Sequence, residues 1–242
     1  MKYAISHEFT YSYDSPVRLS TQYLRLTPRD TTRQKVLEWK LDTPGRAMRT
    51  SDGYGNVLHV LTIDKPVSEI AIEAVGMVET TSAQDEPSDF TGAPLSPLLF
   101  LRPTDLTRPD EELRAFAERF RHGLRDLAAA IHEKNSAGSA ADAVHMFIAC
   151  CRHLGVPARY VSGYLYFRKK SSEGAALHAW AEAWVSERWH SFDIAHNEAI
   201  GDAHIKIAVG SDYLDACPVR GVRVGGGTET LIAEAHVEAT QQ

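Results

Sequence analysis

Gly138–Asn197 reads GSAADAVHMFIACCRHLGVPARYVSGYLYFRKKSSEGAALHAWAEAWVSERWHSFDIAHN. Ala141, Val144, Ile148 and Cys151 recur at helical spacing. Met146, Phe147 and Ala149 widen the apolar face until Gly155 and Pro157 stop it. A buried helix is therefore expected, followed by strands over Ala158–Phe167, Leu177–Val185 and Trp189–Ile194. His178 stands at the start of the second strand and Asp193 near the end of the third. A helix start facing a strand-borne His, itself oriented by an acid, is a usual setting for a thiol nucleophile. The dipole and free N–H groups favour the thiolate, and the imidazole takes the proton. The base and its acid are present here, but no thiol stands at the helix start.

Upstream, Tyr3, Ile5, Phe9, Tyr11 and Tyr13 alternate as in a strand with one buried face. Asp14-Ser15-Pro16 reads as a turn, followed by strands over Val17–Leu26 and Val36–Leu41. Asp52-Gly53-Tyr54-Gly55-Asn56 is a turn signal before Val57–Ile63 and Ile70–Val78. Residues 1–80 thus form an antiparallel β module with the role of a scaffold. Residues 81–97, rich in Thr, Ser, Asp, Glu and Pro, read as an exposed linker. A core domain over 98–242 follows. Pro109 opens a helix continuing through Asp110–Arg121, with acids in the first turn, and Leu124–Lys134 forms a second. After Asn197 come a strand at His204–Val209 and a closing hairpin of Val219–Val224 and Thr230–Val237 around Gly225-Gly226-Gly227. The fold class is α+β.

The 242 residues suffice for a proper core, and a net charge of −6 with a pI near 6.0 excludes a basic nucleic-acid-binding face. No apolar run approaches membrane-spanning length and no signal-like segment opens the chain, so a soluble cytoplasmic protein is expected. Three cysteines make no disulfide framework or zinc motif, and eleven histidines include no close helical pair. Neither a metal nor another cofactor is expected, although His190 and His196 flank Asp193.

Phe147–Tyr164 (FIACCRHLGVPARYVSGY), His178-Ala-Trp-Ala-Glu-Ala-Trp, Trp189-His-Ser-Phe-Asp193, Ile207-Ala-Val-Gly-Ser-Asp-Tyr and Cys217-Pro-Val-Arg-Gly together resemble the bacterial transglutaminase-like family. HEFTYSYDSPVRLSTQYLRLTPR and DGYGNVLHVLTID resemble its N-terminal β domain. The resemblance implies a papain-type core with a central helix packed on an antiparallel sheet. It also implies His178 as base, Asp193 as its orienting acid, and a cysteine at the helix start within a Gly-Val-Cys-Gln-Asp-Phe-Ala-His type of motif. Counted back from His145, that cysteine falls on Ala140, while Asp142 matches the motif's Asp. In an alternative alignment, Ser139–Val144 precedes the motif and the nucleophile segment is deleted. Both alignments leave no thiol there.

Cys150 and Cys151 lie about 15 Å further along such a helix, at roughly 1.5 Å per residue, and read as core. Asp142 and His145, three apart, can bond each other and hold the helix start. With Trp180 they are the candidate binding residues. The resemblance therefore implies a transglutaminase-like protein that has lost acyl transfer but keeps a peptide-binding groove. The alternative is an active cysteine-dependent amide hydrolase or acyl transferase whose cysteine has been replaced in this chain. Partners implied are a peptide or protein and, by family association, ATP-grasp and helical proteins of peptide-modifying systems.

Overall fold

The computed structural model of the chain describes residues 1–81, 85–86, 95–135, 138–166 and 177–240. Strand β1 (Lys2–Leu24) is the axis of the first sheet, with Tyr3, Ile5, His7, Phe9, Tyr11 and Tyr13 all buried on one face. It is followed by β2 (Gln34–Asp42), β3 (Ala47–Ser51), β4 (Val57–Ile63) and β5 (Val67–Thr80). β3 was not anticipated. It pairs with β4 across the Asp52–Asn56 turn, where Asp52 Oδ1 accepts the Tyr54 and Asn56 N–H groups.

The second sheet holds the core. Asp85–Glu86 (β6), inside the expected linker, pair with Trp189 and His190; the linker residues 82–84 and 87–94 lie outside the described residues, as does Phe167. Helix α1 (Glu111–Glu118) is capped by Asp110, whose carboxylate accepts the Leu113 N–H at 2.8 Å. Helix α2 (Leu124–Lys134) matches its expected span, and α3 (Ala140–His153) is the central helix. Gly155, at φ 79°, ends α3 and lets the Val156 N–H reach Cys151 O at 2.8 Å. Strands β7 (Ala158–Leu165), β8 (Leu177–Val185), β9 (Arg188–Asp193), β10 (Glu198–Ala199) and β11 (His204–Gly210) form an antiparallel sheet in the order β10-β9-β8-β7-β11. α3 lays Ala143, Val144, Phe147 and Ile148 onto a row of small side chains, Ala179, Ala181 and Ala183 of β8. Each large residue so buried contributes about 1.5–3 kcal/mol.

After the short helix α4 (Tyr213–Ala216), β12 (Val219–Gly225) and β13 (Glu229–Thr240) return to the first sheet. The expected closing hairpin does not form. β12 pairs with the second half of β1 and β13 with the first half, end to end, so the C-terminal strands join the N-terminal sheet rather than the core. The expected turn at Asp14-Ser15-Pro16 is likewise a kink within the continuous β1. Gly225, Gly226 and Gly227, all at positive φ, lie opposite it, and the Gly226 N–H donates to Pro16 O. Three glycines allow β12–β13 to bend where β1 bends, which side chains would prevent.

The two sheets meet along β11, an edge strand of the core. Its backbone is paired by side chains of the first sheet. Gln34 donates to Lys206 O and accepts the Lys206 N–H, both at 2.8 Å, and Asn56 serves Val209 in the same way. An open strand edge is thereby closed without another strand.

Candidate functional site

Ser139 caps α3. Its hydroxyl accepts the Asp142 N–H at 3.1 Å, while its own O–H and N–H donate to Asp142 Oδ2 at 2.7 and 3.3 Å. This reciprocal cap is worth about 1 kcal/mol. Asp142 therefore holds the helix start, as expected, but its partner is Ser139 rather than His145. His145 Nε2 accepts the Tyr213 N–H at 3.2 Å, and its ring packs on Tyr160. Burial, opposed by the charges of Asp212 and Asp142, lowers its basicity. Ala140 and Ala143 border a cavity of about 120 Å³ that they share with His132, Asn135, Ile194 and Ala195.

The antiparallel register Ala181↔Phe192 sets the start of β8 beside the end of β9. His178 Nε2 and Asp193 Oδ2 are thereby brought to 2.8 Å. The same oxygen lies 3.0 Å from His196 Nδ1 and 3.0 Å from His204 Nε2, and Oδ1 accepts the His196 backbone N–H. An ionised carboxylate only accepts, so each ring presents an N–H to it. The Gly201 N–H, donating to His204 Nδ1, supports that tautomer for His204. Burial works against the Asp193 charge. Hydrogen bonds from His178 and His204, with the charges of His178 and His196, outweigh it and hold the carboxyl far below its usual range. Burial likewise lowers His204, although Asp193 pulls the other way. His190 stands outside this group, with its backbone paired to Asp85.

Along β8, Ala179, Ala181 and Ala183 face α3, whereas His178, Trp180 and Glu182 alternate with them. Trp180, expected to contribute to binding, is fully buried with Val161, Ile200 and Val209, so it offers no surface to a ligand. It stacks with His178, the ring centroids 6.2 Å apart, and so supports the imidazole. Glu182 is also fully buried; Oε2 accepts from Arg159 Nε at 2.7 Å and Oε1 lies 2.5 Å from Lys206 Nζ. Sequence reasoning passed over this ionic group, and over His204 as a partner of Asp193. Only lateral strand order brings these residues together.

The N-terminal region of bacterial transglutaminase-like proteins matches residues 3–79, and the transglutaminase-like superfamily core matches residues 114–194. The chain belongs to the bacterial transglutaminase-like family. Relatives of this transglutaminase-like protein include an uncharacterised protein of Mycobacterium leprae, 28% identical over 94% of this chain and 95% of the relative. Another, from Mycobacterium tuberculosis, is 26% identical over 91% and 87% of the respective chains. The fold is shared with a crystal structure of a candidate cysteine protease from Cytophaga hutchinsonii. Its TM-score is 0.73 at 21% identity, covering 100% of this chain and 92% of that one.

The transglutaminase-like core here carries its three thiols elsewhere than the helix start. Cys150 and Cys151 are buried within α3, and burial pushes Cys150 up to about 12 and Cys151 well above the ordinary thiol range. Cys217 is buried after α4 and raised for the same reason. All three are held as neutral thiols, which are poor nucleophiles. No helix among the described residues is long and apolar enough to cross a membrane.

Proposed function

We propose that this chain is a transglutaminase-like protein without acyl-transfer activity, which binds a peptide or protein segment at the start of α3. The observation that carries this reading is the methyl side chain at Ala140, where the family's thiol is expected. His178 and Asp193 form a base pair with no sulfur to activate, so a covalent thioester cannot be made. The cavity beside Ala140 supports retention of a ligand groove. Three free cysteines fit residence in the cytoplasm.

Purified protein, assayed for amide hydrolysis and for amine incorporation into glutamine-containing peptides, is expected to remain at the level of a His178→Ala variant. Turnover by the unmodified chain that disappears on His178→Ala overturns the proposal.

A further inference from the structure

Three imidazole nitrogens, from His178, His196 and His204, stand 2.8–3.0 Å from the single oxygen Asp193 Oδ2. The His196 backbone N–H takes Oδ1, so ring nitrogens able to ligate a cation are gathered beside one carboxylate oxygen. One nitrogen each from His178 and His196 and one Asp193 oxygen all lie within 4.8 Å of one another. Donor atoms bound at about 2.1 Å in tetrahedral or octahedral geometry are separated by about 3.0–3.4 Å. Closure therefore needs inward movement of about 1 Å.

The cluster can supply that movement. His178 and Asp193 are on paired strands with side chains 5% and 1% exposed, whereas His196, 38% exposed, lies on the turn after β9. The rigid pair forms the base and His196 is the adjustable arm, its exposed side giving an ion its way in. The outer partners of a metal site are also present. His204 donates to Asp193 from a buried position, the His196 backbone N–H holds Oδ1, and Trp180 backs the His178 ring. Bound neutral imidazoles shift their hydrogen to the other ring nitrogen, so the tautomers described above do not oppose coordination.

We propose that His178, Asp193 and His196 bind one divalent transition-metal ion, with His204 orienting the carboxylate and solvent completing the coordination shell. Two imidazoles and a carboxylate suit Zn²⁺ and Co²⁺ better than Mg²⁺ or Ca²⁺, which require mostly oxygen ligands. The proposal stands apart from the absence of acyl transfer, because its test reads binding alone.

The full chain, stripped with chelator, is titrated with Zn²⁺ calorimetrically and with Co²⁺ by visible absorption. One ion per chain is expected, with ligand-field bands for Co²⁺ and a rise in Tm of about 5–10 °C at a hundredfold excess of Zn²⁺ over Kd. His196→Asn changes a side chain on an exposed turn and leaves the fold in place. It is expected to weaken binding at least tenfold, and Asp193→Asn to abolish it, while His122→Ala at a separate exposed position leaves it unchanged. Failure of the unmodified chain to bind one equivalent overturns the proposal. So does binding of equal affinity in folded His196→Asn, which would assign the ion to other surface histidines.

Discussion

The carboxamide of Asn56 engages both backbone groups of Val209, accepting its N–H at 2.8 Å and donating to its carbonyl at 2.7 Å. Asn56 leaves the β3–β4 turn and Val209 lies on the edge of the core sheet, so one side chain joins the two sheets. Asn56→Ala would leave two buried backbone groups without partners and is expected to cost about 2–4 kcal/mol. Urea denaturation should show a lower midpoint with an unchanged m-value.

His7 gives the fold a pH dependence. It is fully buried, hydrogen-bonded to Tyr164 at 2.9 Å, and burial lowers its pKa from 6.5 to about 4. The unfolded chain binds the proton more readily than the folded one. The contribution is therefore complete above pH 6.5 and is lost as pH falls towards 4, at up to about 1.4 kcal/mol per pH unit. His204, lowered in the same direction, adds to this slope. His7→Gln should flatten the stability–pH curve in that window, as measured by chemical denaturation between pH 4 and 7.5.

Glu182 is the common anion of Arg159 and Lys206 inside the core sheet. Glu182→Gln keeps the shape but leaves two buried cations short of their counter-charge. It is expected to destabilise by about 3–5 kcal/mol, as breaking a buried pair from one side does. A thermal melt of the variant, far below that of the parent chain, is the check.

At position 140 the helix dipole and the unpaired N–H groups of the first turn would favour a thiolate. Ala140→Cys should alkylate under native conditions with a midpoint below the free-cysteine value of about 8.5. The unmodified chain, with its thiols buried, should label at background. If His178 still attends the helix start, adding His178→Ala to Ala140→Cys should raise that midpoint. An unmoved midpoint would show that the imidazole no longer attends it.

Much of this protein could be read locally. The alternation Tyr3 to Tyr13, the Asp52–Asn56 turn, α2 and β8 follow from relations between residues two to four apart, which sequence records directly. That alanine and not cysteine stands at position 140 is likewise read by counting back from His145. Pairing is different in kind. β1 runs through Asp14-Ser15-Pro16 because its partners, β12 and β13, lie some two hundred residues away and bend with it at three glycines. His196 and His204 join Asp193, and Arg159 and Lys206 join Glu182, only through strand order and register. Sequence alone thus determined most of the helices and strands, the family and the absence of a cysteine from the first turn of α3. Which side chains share one carboxylate was decided by the lateral packing of strands, because no short-range periodicity encodes who lies beside whom.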